Sequence, residues 1–308
     1  MTTLLYSHES CFAHDPGPHH PERPARLRAV LDALDGQEFA GLERRSAPRA
    51  EIAWIERVHD AGYIERTLAA EPAEGHAHLD PDTVVSSGSA EAALRAAGAL
   101  CAAVDAVAAG DGKNAFCAVR PPGHHAERGQ AMGFCLFNNV AIGARHAQSA
   151  HGFSRVAVVD FDVHHGNGTQ HMFEADDSLF FASTHQYPFY PGSGAATETG
   201  VGNIVNVPLA AGAGGVEFRA AMSDIILPAL RDFDPDFLFI SAGFDGHADD
   251  PLAQLNFREA DYQWATAELA ALAEEACAGR LVSTLEGGYD LAALADSAAS
   301  HVRALMAA

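Results

Sequence analysis

Positive charge is scarce in this sequence: 19 Lys and Arg stand against 41 Asp and Glu, a formal net charge of -22. Such a balance repels nucleic acid and anionic membranes, so direct DNA binding and membrane association are not expected. It attracts cations, a lysine-rich segment or a polyamine among them, although acidity is also a common organism-wide habit. Cysteine is equally sparse. Cys11, Cys101, Cys117, Cys135 and Cys277 are odd in number and show no paired spacing, which fits a reducing compartment and no disulfide framework. No run of eighteen apolar residues occurs, and Met1 to Cys11 offers only Leu4, Leu5 and Tyr6, with no basic region before them. Neither a membrane span nor a signal peptide is expected, and the expected location is the cytoplasm. A Pro/Ser-rich linker, an internal repeat and a break in composition are all missing. With 308 residues, 48% of them hydrophobic, the chain reads as one domain, 1–308. The phosphate-cradling Gly-rich loop and the Gly-x-Ser-x-Gly nucleophile elbow are missing too.

What is present is an alternation. Short apolar runs (Leu4–Tyr6, Phe116–Val119, Val156–Asp160, Leu179–Ser183, Ile204–Val207, Phe237–Ser241, Leu281–Leu285) alternate with Ala- and Leu-rich stretches. The spacing predicts helices over Ser89–Ala109, Asn138–Ala150, Val216–Leu230, Glu259–Ala278 and Leu291–Met306. Strand, helix, strand in this order predicts an α/β fold with a mostly parallel central sheet covered by helices on both faces.

The chemically capable residues sit just past the strands. Arg120-Pro-Pro-Gly-His124-His125 follows the second run, and Asp160-Phe-Asp162-Val-His164-His165-Gly-Asn167-Gly closes the third. Ala-Gly-Phe-Asp245-Gly-His247 follows Phe237–Ser241, and Glu286-Gly-Gly-Tyr289 follows Leu281–Leu285. In open parallel sheets the ligand crevice lies beyond the carboxyl ends of the strands, so four loops would deliver His, Asp and Tyr to one place.

Asp162 and His164, two apart in an extended segment, point the same way and can face one cation. Asp245 as a third ligand would leave a position open for water, the pattern of a catalytic metal. One imidazole and two carboxylates suit zinc, and also iron or manganese. Alone, Asp-x-His would be a polar loop; the company of the other strand-end residues makes it a ligand pair. His124 and His125 follow a Pro-Pro-Gly turn, and each ring needs an acceptor to fix its tautomer. Asp160 and Asn167 are the natural acceptors: an Asp would hold its His cationic, and an Asn would leave it near neutral and able to take a proton. Tyr289, after two glycines, can approach a polarised carbonyl and donate to its oxyanion. His8, His14, His19, His20 and His59 read as loop or locally bonded residues, and His165 as a support of its loop.

The strand-end motifs, together with His20-Pro-Glu-Arg-Pro24, resemble the signature loops of the histone deacetylase family, which includes bacterial deacetylase-like amidohydrolases and acetylpolyamine amidohydrolases. Asn167 in place of the class I Asp, and the His20–Pro24 stretch, resemble the class II branch. The resemblance implies an arginase-like three-layer α/β/α fold and zinc held by Asp162, His164 and Asp245, with ferrous iron as the alternative. It implies that His125 is general base and then acid, with His124 as its electrostatic partner and Tyr289 as oxyanion donor. Gly133 and Phe134 match one wall of an acyl-lysine tunnel, and Tyr190 matches the second, usually a Phe. Asp82 matches the rim carboxylate that grips substrate amides. A structural potassium site would use Asp160 and Ser183 with the carbonyls of Asp162, His164 and Thr184. Polyamine-specialised relatives carry a Glu gatekeeper where this chain has Leu252.

These implications lead to an amidohydrolase that removes acetyl or other acyl groups from the side-chain amine of lysine, on a protein, a peptide or a small molecule. The rivals are an acetylpolyamine amidohydrolase and, outside enzymes, a module that binds acyl-lysine without cleaving it. A manganese ureohydrolase shares the fold, but the Tyr289 loop and the single Asp-x-His pair speak against it. The expected partner is an acylated lysine or small acylated amine; a homo-oligomer is left open.

Overall fold

The apolar runs become strands of one parallel sheet in the computed structural model, which describes residues 2–308. In chain order the strands are β1 (Thr3–Ser7), β2 (Glu43–Ser46), β3 (His76–His78), β4 (Val84–Ser86), β5 (Asn114–Cys117), β6 (Val156–Asp160), β7 (Leu179–Gln186), β8 (Ile204–Leu209), β9 (Phe237–Ala242) and β10 (Leu281–Leu285). β3 and β4 pair with each other as an antiparallel hairpin. The other eight lie in the order β2-β1-β5-β10-β9-β6-β7-β8, every pairing parallel. Helices Ser89–Ala109 and Asn139–His151 pack together on the sheet, as do Glu259–Cys277 and Leu291–Ala307, giving helix, sheet and helix layers. With both faces covered, β5, β6, β7, β9 and β10 are buried at every position, which is why they read as unbroken apolar runs rather than alternations.

The sheet order explains the site. β5, β10, β9 and β6 are neighbours at the centre of the sheet, and they are the four strands whose following loops carry the chemistry. Loops scattered over residues 120–289 therefore open side by side at one edge of the sheet.

Three expectations shift. β5 lies two residues earlier than the apolar run, Asn114–Cys117 instead of Phe116–Val119, because its backbone already pairs at Asn114 with Thr3 on β1 and Leu281 on β10. The stretch expected as one helix, Val216–Leu230, is instead two short helices, Gly215–Ala221 and Leu227–Phe233, joined by a π-helical turn over Met222–Ile226. Pro228 lacks an N–H and crowds the carbonyl four residues back, and a widened turn accommodates both. Helix Ser89–Ala109 contains an eighteen-residue stretch long and apolar enough to cross a membrane, but 72% of that stretch is buried inside the fold. It is built like a core helix, with Glu91, Arg95 and Asp105 interrupting the apolar positions.

Candidate active site

The three expected metal ligands meet. Asp162 and His164 leave β6, Asp245 leaves β9, and all three are buried with one ligand atom each inside a 4.8 Å circle. His164 Nδ1 stands 3.1 Å from Asp162 Oδ1 and 3.1 Å from Asp245 Oδ2. The other lone pairs are held by main-chain donors: His164 N–H on Asp162 Oδ1 (2.9 Å), Gly287 N–H on Asp162 Oδ2 (2.8 Å) and Val163 N–H on Asp245 Oδ1 (2.9 Å). Gly287 and Gly243 are obligatory for this, since a Cβ on either would collide with the carboxylates. The demand for positive charge shows in His164. Burial alone would lower its pKa, but Asp162 and Asp245 outweigh burial and raise it to about 10. A divalent cation meets the same demand, and His164 also lines the neighbouring cavity, so the donor set fits a metal with a side open to substrate.

The turn sets His124 and His125 side by side, ring centroids 4.0 Å apart, yet the two find different partners. His124 Nδ1 lies 2.9 Å from Asp160 Oδ2, whereas His125 Nδ1 lies 2.7 Å from Asn167 Oδ1. Burial opposes charge on both rings. For His124 the Asp162 and Asp160 carboxylates prevail and lift its pKa to about 10. For His125 burial is reinforced by the positive His124 and His164, and its pKa falls well below the ordinary imidazole value. One ring is thus held cationic and its neighbour neutral.

The loops are locked to each other by groups that carried no role in the sequence. Glu286 Oε2 accepts the N–H of Gly123 at 2.7 Å and of His124 at 3.2 Å. Asp250 Oδ2 accepts the N–H of Tyr289 at 2.7 Å, and Asp250 Oδ1 that of Leu252 at 3.0 Å. Arg26 donates to the Gly288 carbonyl (2.5 Å) and the Glu286 carbonyl (2.6 Å), with its guanidinium 4.8 Å from the Tyr289 ring centre. Arg26 and Arg120 both pair with Glu22, and all three are wholly buried. Breaking one member of such a buried set would leave an uncompensated charge, at a cost of about 3–5 kcal/mol. Tyr289 itself is buried, which pushes its phenol pKa well up, so the group stays a donor.

A cavity of about 250 Å³ opens over this floor. Its lining contains every residue expected of the tunnel, namely Asp82, Gly133, Phe134, Tyr190 and Leu252, together with His125, His164 and Tyr289. Phe189 lines it as well and lies parallel to His164, centroids 5.5 Å apart; next to Tyr190, it was passed over in the sequence. Phe134 holds a left-handed backbone, φ 68°, unusual for an aromatic residue. It is pinned there by Thr83 Oγ1, which accepts its N–H at 3.1 Å, while Asp82 Oδ1 accepts the Gly133 N–H at 3.0 Å. Asp82 therefore stands at the mouth with one oxygen already engaged. Asp160 and Ser183 are register partners on β6 and β7, next to a buried Thr184 hydroxyl that has no hydrogen-bond partner. Of the histidines read as structural, His59 bonds the Glu127 carbonyl and the Asn138 N–H, and His14 bonds Ser89 and Glu22.

The profile described as "Histone deacetylase domain" matches residues 20–305. The chain is a member of the histone deacetylase family. It is 40% identical to "Histone deacetylase 14, chloroplastic" of Arabidopsis thaliana, over 98% of this chain and 76% of that protein. It is likewise 40% identical to the "Histone deacetylase-like amidohydrolase" of Pseudomonas aeruginosa, over 93% of this chain and 81% of the relative. Among solved structures, the HDA15 HD domain superposes with a TM-score of 0.94 at 36% identity, covering 99% of this chain and 88% of that one. The fold is thus the arginase/deacetylase α/β fold of this family, and the chain is a hydrolytic enzyme of the deacetylase and amidohydrolase type.

Proposed function

We propose that this histone deacetylase family member is a zinc amidohydrolase that cleaves the acyl group from the side-chain amine of lysine, in a peptide or as a small molecule. The observation that carries the reading is the cavity: aromatic walls Phe134, Phe189 and Tyr190 above a floor of His125, His164 and Tyr289. Such a slot suits the apolar stem of a lysine side chain and places its amide against the polar floor.

A zinc or ferrous ion held by Asp162, His164 and Asp245 would supply Lewis acidity, polarising the acyl carbonyl and easing deprotonation of water. His125, neutral at its cavity-facing nitrogen, takes the proton of the attacking water. Tyr289 donates to the oxygen on which negative charge develops, and its hydrogen bond strengthens as the charge grows. His125 then returns the proton to the leaving amine, while cationic His124 beside it disfavours a second proton there until the transfer is under way. A positioned base of this kind contributes about 10²–10⁴-fold. We assign a potassium ion to Asp160, Ser183 and the carbonyls of Asp162, His164 and Thr184; the register pairing of Asp160 with Ser183, which turns both side chains to the same face of the sheet, supports this.

The rim favours lysine over polyamines. Leu252 is neutral, Asp250 is buried with both oxygens on main-chain N–H groups, and Asp249 pairs with Arg258. Only Asp82 among the lining residues outside the metal group carries a negative charge, and it already binds Gly133. A panel of acetyl-lysine peptides, longer acyl-lysines, acetylspermidine and acetylputrescine decides. The expected order of kcat/KM places an acyl-lysine first, and Leu252→Glu should shift the ratio towards polyamines. A preference of about tenfold for an acetylpolyamine, or 1.4 kcal/mol, would install the polyamine reading instead.

A further inference from the structure

His125 can serve as base only in one tautomer, with its proton on Nδ1 and a bare Nε2 towards the cavity. Its Nδ1 partner is the side chain of Asn167. An amide is ambiguous at that position: its oxygen would keep the proton on Nδ1, but its NH₂, almost identical in shape, would force the proton to Nε2. Something must orient the amide.

Glu127, two residues after His125, is placed to do so. Asn167 Nδ2 donates to Glu127 Oε1 at 2.5 Å, and its remaining neighbours, the His125 carbonyl and the Met132 sulfur, are acceptors at 3.4 Å. A carboxylate only accepts, so it selects the NH₂ and turns the amide oxygen to His125. The main chain of Glu127 is itself fixed, its carbonyl bonded by His59 Nδ1 and its N–H donating to the Gln130 carbonyl, each at 2.9 Å. His171, one helical turn after Asn167, meets the carboxylate from the other side, with Nδ1 at 2.8 Å from Oε1 and 3.0 Å from Oε2. The Glu127 side chain is only 21% exposed.

We propose that Glu127 is the positioning residue that sets the tautomer of the general base through Asn167. The arrangement differs from the neighbouring His124–Asp160 pair in where the charge sits. There the carboxylate touches the ring and keeps it cationic; here an amide stands between, so orientation is imposed while the ring stays neutral. The inference rests on His125 being the base.

The test is a double-mutant cycle on the zinc-loaded enzyme. Glu127→Ala should lower kcat by about 10–10²-fold, part of what a positioned base supplies, with KM nearly unchanged. In the Asn167→Asp background there is no amide to orient, and two carboxylates would crowd each other. Glu127→Ala should therefore cost nothing there or raise kcat. A loss of equal size in both backgrounds marks a merely structural residue and overturns the proposal, as does an unchanged kcat in the native background. Should the alanine variant not fold, ¹⁵N shifts of the imidazoles in the wild-type holoenzyme give the answer: His125 protonated at Nδ1 supports it, and Nε2 overturns it. His125→Ala separates the two levels of the argument. If that variant keeps full activity, the base assignment falls. If it is inactive while the cycle shows no coupling, only the role of Glu127 falls.

Discussion

Among the described residues two groups, each of Asp and His, bring three ligand atoms together, and only one of the two is organised for a metal. Asp162, His164 and Asp245 lie at the centre of the sheet; Asp105, His146 and His151 lie where helices Ser89–Ala109 and Asn139–His151 meet. By proximity they are equals, each with three ligand atoms within 4.8 Å. They differ in what surrounds those atoms. In the first, main-chain N–H groups fix the carboxylates, no donor is aimed at the His164 nitrogen apart from its own proton, and two negative charges demand a cation. In the second, both Nε2 atoms stand 2.7 Å from a single oxygen of Asp105, and Arg57 Nη1 lies 3.3 Å from His146 Nδ1. A guanidinium can only donate, so His146 Nδ1 accepts and the proton sits on Nε2, directed at Asp105. A ring proton fills the place of a cation in both groups, but Arg57 locks the one on His146 Nε2, whereas no donor among the described residues locks the one on His164 Nδ1. Ligand type and distance do not make a metal site; lone pairs that a proton is free to vacate, oriented by a rigid frame, do.

The sharpest way to break this contrast is to neutralise the first group. Asp162→Asn and Asp245→Asn should each lose metal, by more than the about 10–100-fold in affinity that an outer supporting group contributes, and activity with it. Elemental analysis of the purified variants measures the first, kcat/KM the second. Chelation should abolish wild-type activity, and zinc or ferrous iron should restore it. Full turnover by a metal-free preparation would show that the buried group is no more a metal centre than the helix pair. Next in size is Tyr289→Phe, which leaves the ligands alone and removes a donor the second group has no counterpart for. kcat should fall by about 10²–10³-fold. KM should hardly move, since the bond forms mainly as charge develops. An unaltered kcat would remove the phenol from the chemistry.

How much of this was legible in the sequence follows from how local each signal is. β6, β9 and β10 could be read almost to the residue, because a strand buried on both faces must be an unbroken apolar run, and the ligands follow it directly. β2, Glu-Arg-Arg-Ser at the exposed edge of the sheet, has no such run and went unread, as did the three-residue strands β3 and β4 and the helices Pro24–Leu34 and Ala61–Ala69. In the site, residues that touch each other across two positions, such as Asp162 and His164, were visible. Glu22, Arg26, Arg120, Glu286 and Glu127 were not given roles, because each holds another part of the protein rather than the metal or the substrate, and its partner lies far along the chain. Arg26 reaches Gly288 across 262 residues, Glu22 reaches Arg120 across 98, and Glu127 reaches Asn167 across 40. Until the fold brings them together, such residues look like ordinary surface charge.

The smallest expected effect lies in the second group, and it probes the contrast from the other side. Asp105 is 49% exposed and His151 27%, so their bond competes with water and is worth no more than about 1 kcal/mol. His151→Ala should leave the melting temperature within a few degrees of wild type and kcat unchanged, because Asp105, His146 and His151 line none of the catalytic cavity. Zinc titration of the metal-stripped protein should then show one tight equivalent in the wild type, abolished by Asp245→Asn and untouched by His151→Ala. The outcome to fear is a second tight equivalent that disappears with His151. It would mean that Arg57, on an exposed turn, swings aside at little cost, that His146 moves its proton from Nε2 to Nδ1, and that a hydrogen-bonded triad differs from a metal site only by the arrival of the metal.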